Sequence, residues 1–404
     1  MAHSRRDALP HGLRNTYAQG ATLESVTAAM GTAKMVDGLE DASPASLTMR
    51  WVSELLQGHI PDESNATCSD CAMCSQSKHP ATVNTRDFRP DVKCCTYVPH
   101  LPNFAVGAIL ADQSPAATLG RRSVEQRIDA RIGVTPIGID APPIFDVLYA
   151  SSRDSAFGVS RALLCPHYVN EGGGLCGIWK YRNAICSTYY CKFVRGAIGK
   201  AFWERLNQFL TAVESALEMW CLTAVGIEDN VLGGLTPATL RRARPGARLT
   251  SNSLDGIPDL NVYERTWGAT WVNRERDFYL ASARLVEPLR CADVLEICGA
   301  QVQLYASLTR VAYKRLLAYE IPPYLKPGKY SATAAQPGFI ALQSYSPDDQ
   351  IVVPRAILDA LLLFDGRRST LDVITQGRDG GLPLNEWLVR RLVDFEVLVP
   401  CRSP

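Results

Sequence analysis

Nine of the thirteen cysteines in this 404-residue chain fall in two short stretches. The first stretch opens with a C-x2-C-x2-C run and closes with two adjacent cysteines, and the second carries four more in a polar, turn-rich segment. A structural cysteine usually lies alone on an apolar face, so thiols at this density indicate the ligands of a soft metal centre. The predicted ligands are Cys68, Cys71, Cys74, Cys94, Cys95, Cys165, Cys176, Cys186 and Cys191.

An iron–sulfur cluster is the predicted cofactor, and zinc is the alternative. Adjacent cysteines and a surplus of thiols favour a multi-iron centre. The nine thiols are a surplus because one tetrahedral zinc site or one cubane cluster uses only about four ligands. The surplus leaves two readings open. Either Cys68, Cys71 and Cys74 serve a second centre, or some of the nine thiols, Cys191 among them, bind no metal.

Other residues near the cysteines have simpler expected roles. His100 and His167 lie within a few residues of predicted ligands, but we expect them to be surface or hydrogen-bonded histidines. The glycine run 172–174 lacks the Lys-Ser/Thr ending of a phosphate-binding loop and predicts a turn. Arg182 is expected either to hydrogen-bond sulfur or backbone near the centre or to form a surface ion pair. The Tyr189–Tyr190 pair is expected to pack around the centre.

The second cysteine stretch resembles the YkgJ-type zinc- or iron-chelating cysteine-cluster family. That family reads C, a glycine-containing gap, then C-x-I-Y-x2-R-P-x2-C. This chain has Cys165, the glycine run, and then C-G-I-W-K-Y-R-N-A-I-C over residues 176–186. It departs from the family pattern in two ways: Asn183 replaces the usual proline, and the segment 75–93 splits the first stretch. The resemblance implies a bound metal and names no reaction.

The cysteine arrangement is also similar to that of the flagellin lysine-N-methylases, which implies a protein-modifying enzyme as one reading. The sequence contains no Ser-His-Asp order, no HExxH motif and no nucleotide-binding fingerprint. The type of reaction, and whether the protein is an enzyme at all, therefore stay open.

Apolar periodicity predicts a mainly α fold in which an irregular, cysteine-rich metal-binding module is embedded in helices. The clearest signal is a helix whose apolar stripe runs from Phe202 through Phe209 to Trp220. A capping-box pattern predicts that another helix begins at Ser123. Further helices are predicted over residues 46–56, 104–110, 144–150 and 263–320.

Composition shifts along the chain predict five regions. Residues 1–60 are a helical lead-in, and 61–225 form the cysteine-rich module. Residues 226–323 form a helical region that opens with a stretch rich in glycine, arginine and proline. Residues 324–338 are expected to be a linker, because they contain proline, glycine and small residues. Residues 339–404 are predicted to be a small α+β winged-helix domain.

This last region resembles the PqqD-like winged-helix modules, which recognise leader peptides during the maturation of peptide natural products. The predicted order is a strand, three helices and a closing strand, and Glu396 stands where the family often has glycine. The resemblance implies that an extended peptide or protein substrate adds as a strand to an exposed sheet edge. The residues that carry it are Leu361, Leu362, Phe364-Asp365-Gly366, Thr370-Leu371, Leu388, Leu392 and Phe395 to Leu398.

Charge argues against a nucleic-acid partner for this region. Residues 339–404 contain seven arginines and no lysine against nine acidic residues. A domain that reads duplex DNA should present a basic face. A peptide or protein is therefore the predicted partner.

Whole-chain composition sets further bounds. A hydrophobic content of 47% in 404 residues suffices for a sizeable core in two or three domains, and a net charge of +1 gives no general attraction to nucleic acids or membranes. An odd number of clustered cysteines predicts a reducing, cytoplasmic location. Ser4-Arg5-Arg6 is not followed by the apolar run of a secretion signal, and no segment is long enough to span a bilayer.

Three functions fit these observations. The first is a metal-cluster protein that modifies, or assists in modifying, a peptide or protein held by the C-terminal region. The second is a non-catalytic adaptor that responds to metal or redox state, and the third is a metal-sensing transcription regulator. Iron and sulfide with turnover on a peptide would favour the first, zinc without turnover the second, and salt-sensitive duplex binding the third.

Overall fold

The computed structural model describes residues 46–65, 68–75, 86–170, 174–232 and 260–401. All of these residues belong to one compact unit, Ala45–Pro404. The predicted lead-in before residue 46, two of the three glycines of the run 172–174, and most of the predicted glycine- and arginine-rich stretch after residue 232 lie outside the described residues. Within the described ranges the chain is mainly helical, as predicted, with small antiparallel sheets.

The helices carry our labels in chain order. They are α1 (Leu47–Leu56), α2 (Asn103–Ala111), α3 (Thr118–Asp129), α4 (Pro143–Ala156), α5 (Ala184–Thr188), α6 (Gly196–Val225), α7 (Asp229–Leu232), α8 (Leu260–Trp271), α9 (Glu275–Val286), α10 (Cys291–Leu317), α11 (Ile357–Leu361), α12 (Thr370–Asp379) and α13 (Glu386–Asp394).

The strands are short and all pair antiparallel. They are β1 (Leu101–Pro102), β2 (Val134–Thr135), β3 (Gly138–Ile139), β4 (Tyr168–Val169), β5 (Leu175–Cys176), β6 (Leu325–Pro327), β7 (Ser331–Ala334), β8 (Phe339–Gln343), β9 (Ile351–Pro354) and β10 (Leu398–Pro400).

The long helix α6 is the centre of the largest core. Its buried residues recur every three or four positions, as in the stripe from Phe202 through Phe209 to Leu217, so one face of the helix is continuously apolar. This face packs against α10 and the neighbouring α1. Ser46 caps α1, because its hydroxyl accepts a hydrogen bond from the Met49 amide. Helices α1 and α6 were predicted, and α6 extends beyond the predicted apolar stripe at each end.

A second core forms where α2 lies against α9. The two backbones approach so closely that a Cβ added at Gly107 would lie 1.8 Å from the carbonyl oxygen of Tyr279. Only glycine fits at such a contact. The short apolar run 104–110 is a buried helix, as predicted, and its packing ties the segment after Cys95 to the core.

Two helix predictions need correction. Helix α3 begins at Thr118, so Ser123 lies inside it and does not cap it; the Ser123 hydroxyl donates to the Gly120 carbonyl. The region 263–320 forms three helices, α8, α9 and α10, with a non-helical residue at Gly268 and another at Gly299. Positive backbone φ angles at both glycines interrupt the helical geometry, which apolar periodicity alone does not reveal.

The C-terminal part, residues 321–401, contains two small sheets and the helices α11, α12 and α13. Strands β7, β8 and β9 form a three-stranded meander, and β6 pairs with β10. The predicted linker 324–338 therefore contributes two strands, β6 and β7, and Leu325 of β6 is fully buried in the core of this part. The pairing partner of β6 lies at the far end of the sequence, so composition near residue 325 could not reveal it.

Polar contacts join the C-terminal part to helix α6. Two hydrogen bonds join the Arg195 guanidinium to the Asp394 carboxylate. Nε donates to Oδ2 at 2.6 Å, and Nη2 donates to Oδ1 at 3.0 Å. Asp394 is 1% exposed, and Arg391 donates to the Val194 carbonyl beside it. Bidentate pairing of this kind fixes orientation as well as distance.

Among the described helices, none combines the length and the apolar character that crossing a membrane requires.

Candidate metal centre

Eight of the nine predicted ligand cysteines line one cavity, which has a volume of about 510 Å³. The cavity collects thiols from both cysteine stretches, although these lie far apart in the sequence. Cys74 is the exception: it packs beside the cavity against Met73 and Phe88, and its thiol forms a hydrogen bond with that of Cys71. We call this space the thiol cavity. Its cysteines are Cys68, Cys71, Cys94, Cys95, Cys165, Cys176, Cys186 and Cys191.

A tight turn and a backbone hydrogen bond bring the two stretches together. The amides of Val92 and Lys93 both bond to the Arg89 carbonyl, at 3.1 and 2.8 Å, and Lys93 has a left-handed φ of 53°. This turn presents Cys94 and Cys95 in succession. The Cys165 amide then donates to the Cys95 carbonyl at 2.8 Å, which anchors the second stretch to the first.

Short local elements position the remaining thiols of the second stretch. Cys176 lies on β5 opposite Tyr168 of β4. Asn183 caps helix α5, because its side-chain oxygen accepts a hydrogen bond from the Cys186 amide at 3.0 Å. Asn183 therefore has a structural role, which is to hold Cys186 in the first turn of α5.

Burial makes the thiols of the cavity poor acids. It raises the pKa of Cys165 and that of Cys191 to about 12, and it raises the pKa of Cys186 well above its ordinary value. The pKa of Cys94 also lies well above its ordinary value, because of a hydrogen bond with the Cys95 thiol and burial. Thiolates in this cavity therefore require nearby positive charge.

Ionisation of Cys94 would affect most of the other cavity thiols. After burial, a charge on Cys94 is a further cause that raises the pKa of six other cysteines, because like charges disfavour one another's ionisation. The six are Cys68, Cys71, Cys165, Cys176, Cys186 and Cys191.

Four basic residues line the thiol cavity: Arg86, Lys93, Arg153 and Arg182. Two of them, Lys93 and Arg182, also bond to the backbone around it. Lys93 is 6% exposed, and its ammonium donates to the carbonyls of Cys68 and, at 2.9 Å, Gly174. Arg182 donates to the Cys186 carbonyl at 3.0 Å, and its guanidinium lies 3.6 Å from the centre of the Trp179 ring. Both basic groups thus bond to the backbone of the segments that carry the cavity cysteines.

Aromatic side chains form the outer wall of the thiol cavity. Tyr97, Tyr149, Phe157, Trp179 and Tyr189 line it, and the rings of Phe157 and Tyr189 lie edge to face with their centres 5.7 Å apart. Trp179 is 54% exposed and Tyr189 is 43% exposed, so the cavity meets solvent at these rings. Tyr189 and its neighbour Tyr190 both line the cavity, beside the cysteines around which the pair was expected to pack.

The thiols surround the cavity and do not converge on one point. Within the described ranges, no three His, Cys, Asp or Glu side chains are placed to hold a single metal ion. Ligands of one zinc ion must each lie about 2.3 Å from it. The donor set, all thiols, suits zinc or an iron–sulfur cluster, but the spread around about 510 Å³ fits a multinuclear group better than a single ion.

The two histidines near the cysteines are hydrogen-bonded, which was one of the two predicted possibilities, and neither lines the cavity. His100 lies between two carboxylates, with Nδ1 2.7 Å from Asp140 Oδ1 and Nε2 2.7 Å from Glu218 Oε2. His167 Nδ1 lies 2.8 Å from the Ser123 hydroxyl. Burial lowers the pKa of His167 to about 3, so this imidazole is neutral.

Sequence reasoning anticipated Arg182 and the Tyr189–Tyr190 pair but missed the other basic and aromatic residues of the site. Lys93 directly precedes the adjacent cysteine pair, a position that offered a signal. Arg86, Tyr97 and Tyr149 gave none, because only the folding of distant segments brings them to the cavity. Arg182 was expected either near the centre or on the surface, and it lines the thiol cavity.

No protein family, curated protein or solved structure matches the chain.

Proposed function

We propose that the thiol cavity binds an iron–sulfur cluster and that the protein modifies, or assists in modifying, a peptide or protein held by its C-terminal part. One observation carries the proposal: eight thiols from two distant stretches line a single cavity of about 510 Å³. Thiols gathered in this way are ligands far more often than packing residues.

The charges around the thiol cavity support a bound cationic group. Buried thiols with raised pKa values do not ionise by themselves, and a metal centre supplies the charge that makes them thiolates. Lys93 and Arg182 would offset the negative charge that remains on a thiolate-bound cluster. Four of the eight cavity cysteines would hold the cluster, and the other four would be available for a second one.

The cavity also has features that a purely structural metal site does not need. Its aromatic wall reaches the surface at Trp179 and Tyr189. Structural metal sites are closed, whereas sites that act on another molecule keep an open position. An opening lined by aromatic rings gives a segment of another polypeptide access to the metal centre, which favours a modifying protein over an inert adaptor.

The C-terminal part would hold that polypeptide. Its order is a three-stranded antiparallel meander followed by three helices, with outer strands that have free edges. A PqqD-like winged helix would bind an extended segment at such an edge. The seven arginines and nine acidic residues from residue 339 onward favour a polypeptide over DNA as the ligand.

A loop of the C-terminal part contacts residues at and beside the wall of the thiol cavity. The β8–β9 connection contains Asp348, whose carboxylate pairs at 2.9 Å with Arg86, a residue that lines the cavity. The Asp348 carbonyl also accepts a hydrogen bond at 2.6 Å from Lys192, the residue after Cys191. A polypeptide held by the C-terminal part would therefore lie on the same body as the cavity, as modification of a tethered substrate requires.

The cytoplasm is the proposed location. All thirteen cysteines are free thiols, which suits a compartment that keeps thiols reduced.

Metal analysis is the decisive experiment. The full chain is purified without oxygen and assayed for iron, zinc and acid-labile sulfide. We expect iron and sulfide in similar amounts, with the visible absorption of thiolate-bound iron. Stoichiometric zinc without sulfide would favour the adaptor reading, and a folded protein free of both metals would refute the proposal.

A further inference from the structure

The two outer strands of the β7–β8–β9 sheet offer different free edges. The Arg355 amide bonds to the Gly338 carbonyl at 2.9 Å, so the backbone groups of Arg355 face β8. Successive residues of a strand direct these groups to opposite edges, so those of Pro354 and Val352 point away from β8. Proline has no N–H. Within β9, the outward edge therefore carries one donor, that of Val352, and Pro354 blocks the other position.

The outward edge of β7 is open by comparison. The Ala335 amide bonds to the Phe339 carbonyl at 3.4 Å, so Ala332 and Ala334 direct both their N–H and their C=O groups away from β8. All four residues of β7 are exposed, and none is charged or proline. Proteins usually protect an edge strand with charge, proline, a bulge or a cover. Strand β7 has none of the first three, and in the described part of the chain no other strand pairs with this edge.

A groove of about 530 Å³ lies beside this open edge. It is lined by the β7–β8 hairpin, by Leu358 of α11 and by Arg355, the charged residue in the lining. Directly opposed residues of an antiparallel pair share a face, so Ala332 and Ala334 lie on the same face as the buried Leu342 and Ile340. The face of the sheet that is buried at β8 is therefore exposed to solvent at β7.

We infer that an extended polypeptide segment containing an acidic residue pairs with the free edge of β7. Its backbone would bond to Ala332 and Ala334, an apolar side chain would enter the groove beside Leu358, and its carboxylate would face Arg355. The inference rests on the proposed function, in which the C-terminal part holds a polypeptide. It adds which edge is used and which chemistry the segment has.

Proline substitutions separate the two edges. In the double variant Ala332→Pro/Ala334→Pro, the outward donors of β7 are lost while the hydrogen bonds from β7 to β8 are kept, because those two amides do not face β8. Val352→Pro removes the outward donor of β9 and serves as the matched control. Short peptides are selected from a random display library on the full-length protein and then titrated against each variant.

We expect the β7 double variant to bind the selected peptides about tenfold more weakly or worse, since two hydrogen bonds are lost, and Val352→Pro to bind them as the parent does. Arg355→Glu should weaken acidic peptides and strengthen versions in which lysine replaces the acidic residue. Unchanged binding by a folded β7 variant, or a loss confined to Val352→Pro, would overturn the assignment to β7 while leaving peptide binding intact. Failure to select any peptide on the parent protein would instead refute both this inference and the peptide-holding role.

Hydrogen exchange tests the same point without a substitution, should the double variant fail to fold. In the complex with a selected peptide, the amides of Ala332 and Ala334 should exchange more slowly than in the free protein, and that of Val352 should not change. Protection at Val352 alone would overturn the inference.

Discussion

At the scale of single residues, the cysteines divide by position into those that face the thiol cavity and those that do not. Cys176 and Cys186 face it, whereas Cys401 lies at the end of β10, where its amide donates to the Tyr324 carbonyl. Only a ligand thiol couples metal binding to folding. The same type of substitution should therefore have different effects at these positions.

Replacing Cys176 or Cys186 by serine should lower the iron content of the purified protein to less than about half and lower its thermal stability, because a cluster loses one of about four ligands. Cys401→Ser should leave both unchanged. Metal analysis and thermal unfolding of the three variants measure the difference. Equal iron in Cys176→Ser and the parent would show that this thiol is not a ligand.

His100 illustrates a buried charge that holds two segments together. Burial by itself would lower the pKa of this imidazole, but the carboxylates of Asp140 and Glu218 outweigh burial and raise it to about 10. A group whose pKa is raised on folding stabilises the fold fully below its unfolded value, which is about 6.5 for histidine. That contribution is lost as the pH rises through about 10.

His100→Gln should therefore reduce the free energy of unfolding by an amount that depends on pH. The loss should be largest near pH 6 and should shrink as the pH rises towards about 10, because the parent loses the imidazolium there. Urea unfolding at several pH values measures it, and His59→Gln, at an exposed histidine, is the control. A loss that stays constant across this range would contradict the charged pairing.

At the scale of secondary-structure elements, the five-residue helix α5 depends on its cap more than a long helix would. Short helices are marginal, and Asn183 satisfies the Cys186 amide in the first turn. Without that bond, the turn that carries Cys186 loses its fixed entry angle.

Asn183→Ala should destabilise the protein by about 1 kcal/mol and weaken metal retention, whereas Asn183→Asp should keep most of both, because aspartate is an equally good cap. Competition with a chelator reports metal retention, and denaturant unfolding reports stability. If Asn183→Asp behaves like Asn183→Ala, the side-chain amide has a role other than capping.

The elements also show what the sequence could and could not reveal. The buried stripe of α6 recurs at helical spacing, so its position is readable without the structure. Strands β6 and β7 contain proline, lysine and small residues, which predict a linker, and they become strands through pairing with β10 and β8. Likewise, thiol spacing predicted ligands in each stretch, while the aromatic wall and Lys93 depend on contacts between distant segments.

At the scale of the whole molecule, one buried ion pair links the C-terminal part to the helix that follows the thiol cavity. Arg195, at the start of α6, contacts Asp394 at the end of α13, and both side chains are largely shielded from water. Burial raises the pKa of Asp394, while Arg195 opposes that rise. Removing one member of a buried pair costs more than removing a surface pair, because the other charge stays buried.

Arg195→Met should therefore destabilise the protein by about 3–5 kcal/mol. Arg390 keeps one contact with Asp394, at 3.0 Å, so the expected loss lies at the lower end of that range. The matched control is Arg276→Met, which removes a pair with Asp129 that is 45% and 67% exposed and should cost less than about 1 kcal/mol. Equilibrium unfolding measures both.

The same variant tests whether the two parts communicate. If this pair holds the C-terminal part in place on α6, Arg195→Met should also speed hydrogen exchange in α13 and around Cys191. The reason is that segment 192–195 directly follows Cys191 and bonds to Asp348, Asp349 and, in α13, Asp394. Arg276→Met should leave exchange in these regions unchanged. Loss of stability without faster exchange at either place would mean that the pair stabilises the fold but does not determine how the C-terminal part sits beside the thiol cavity.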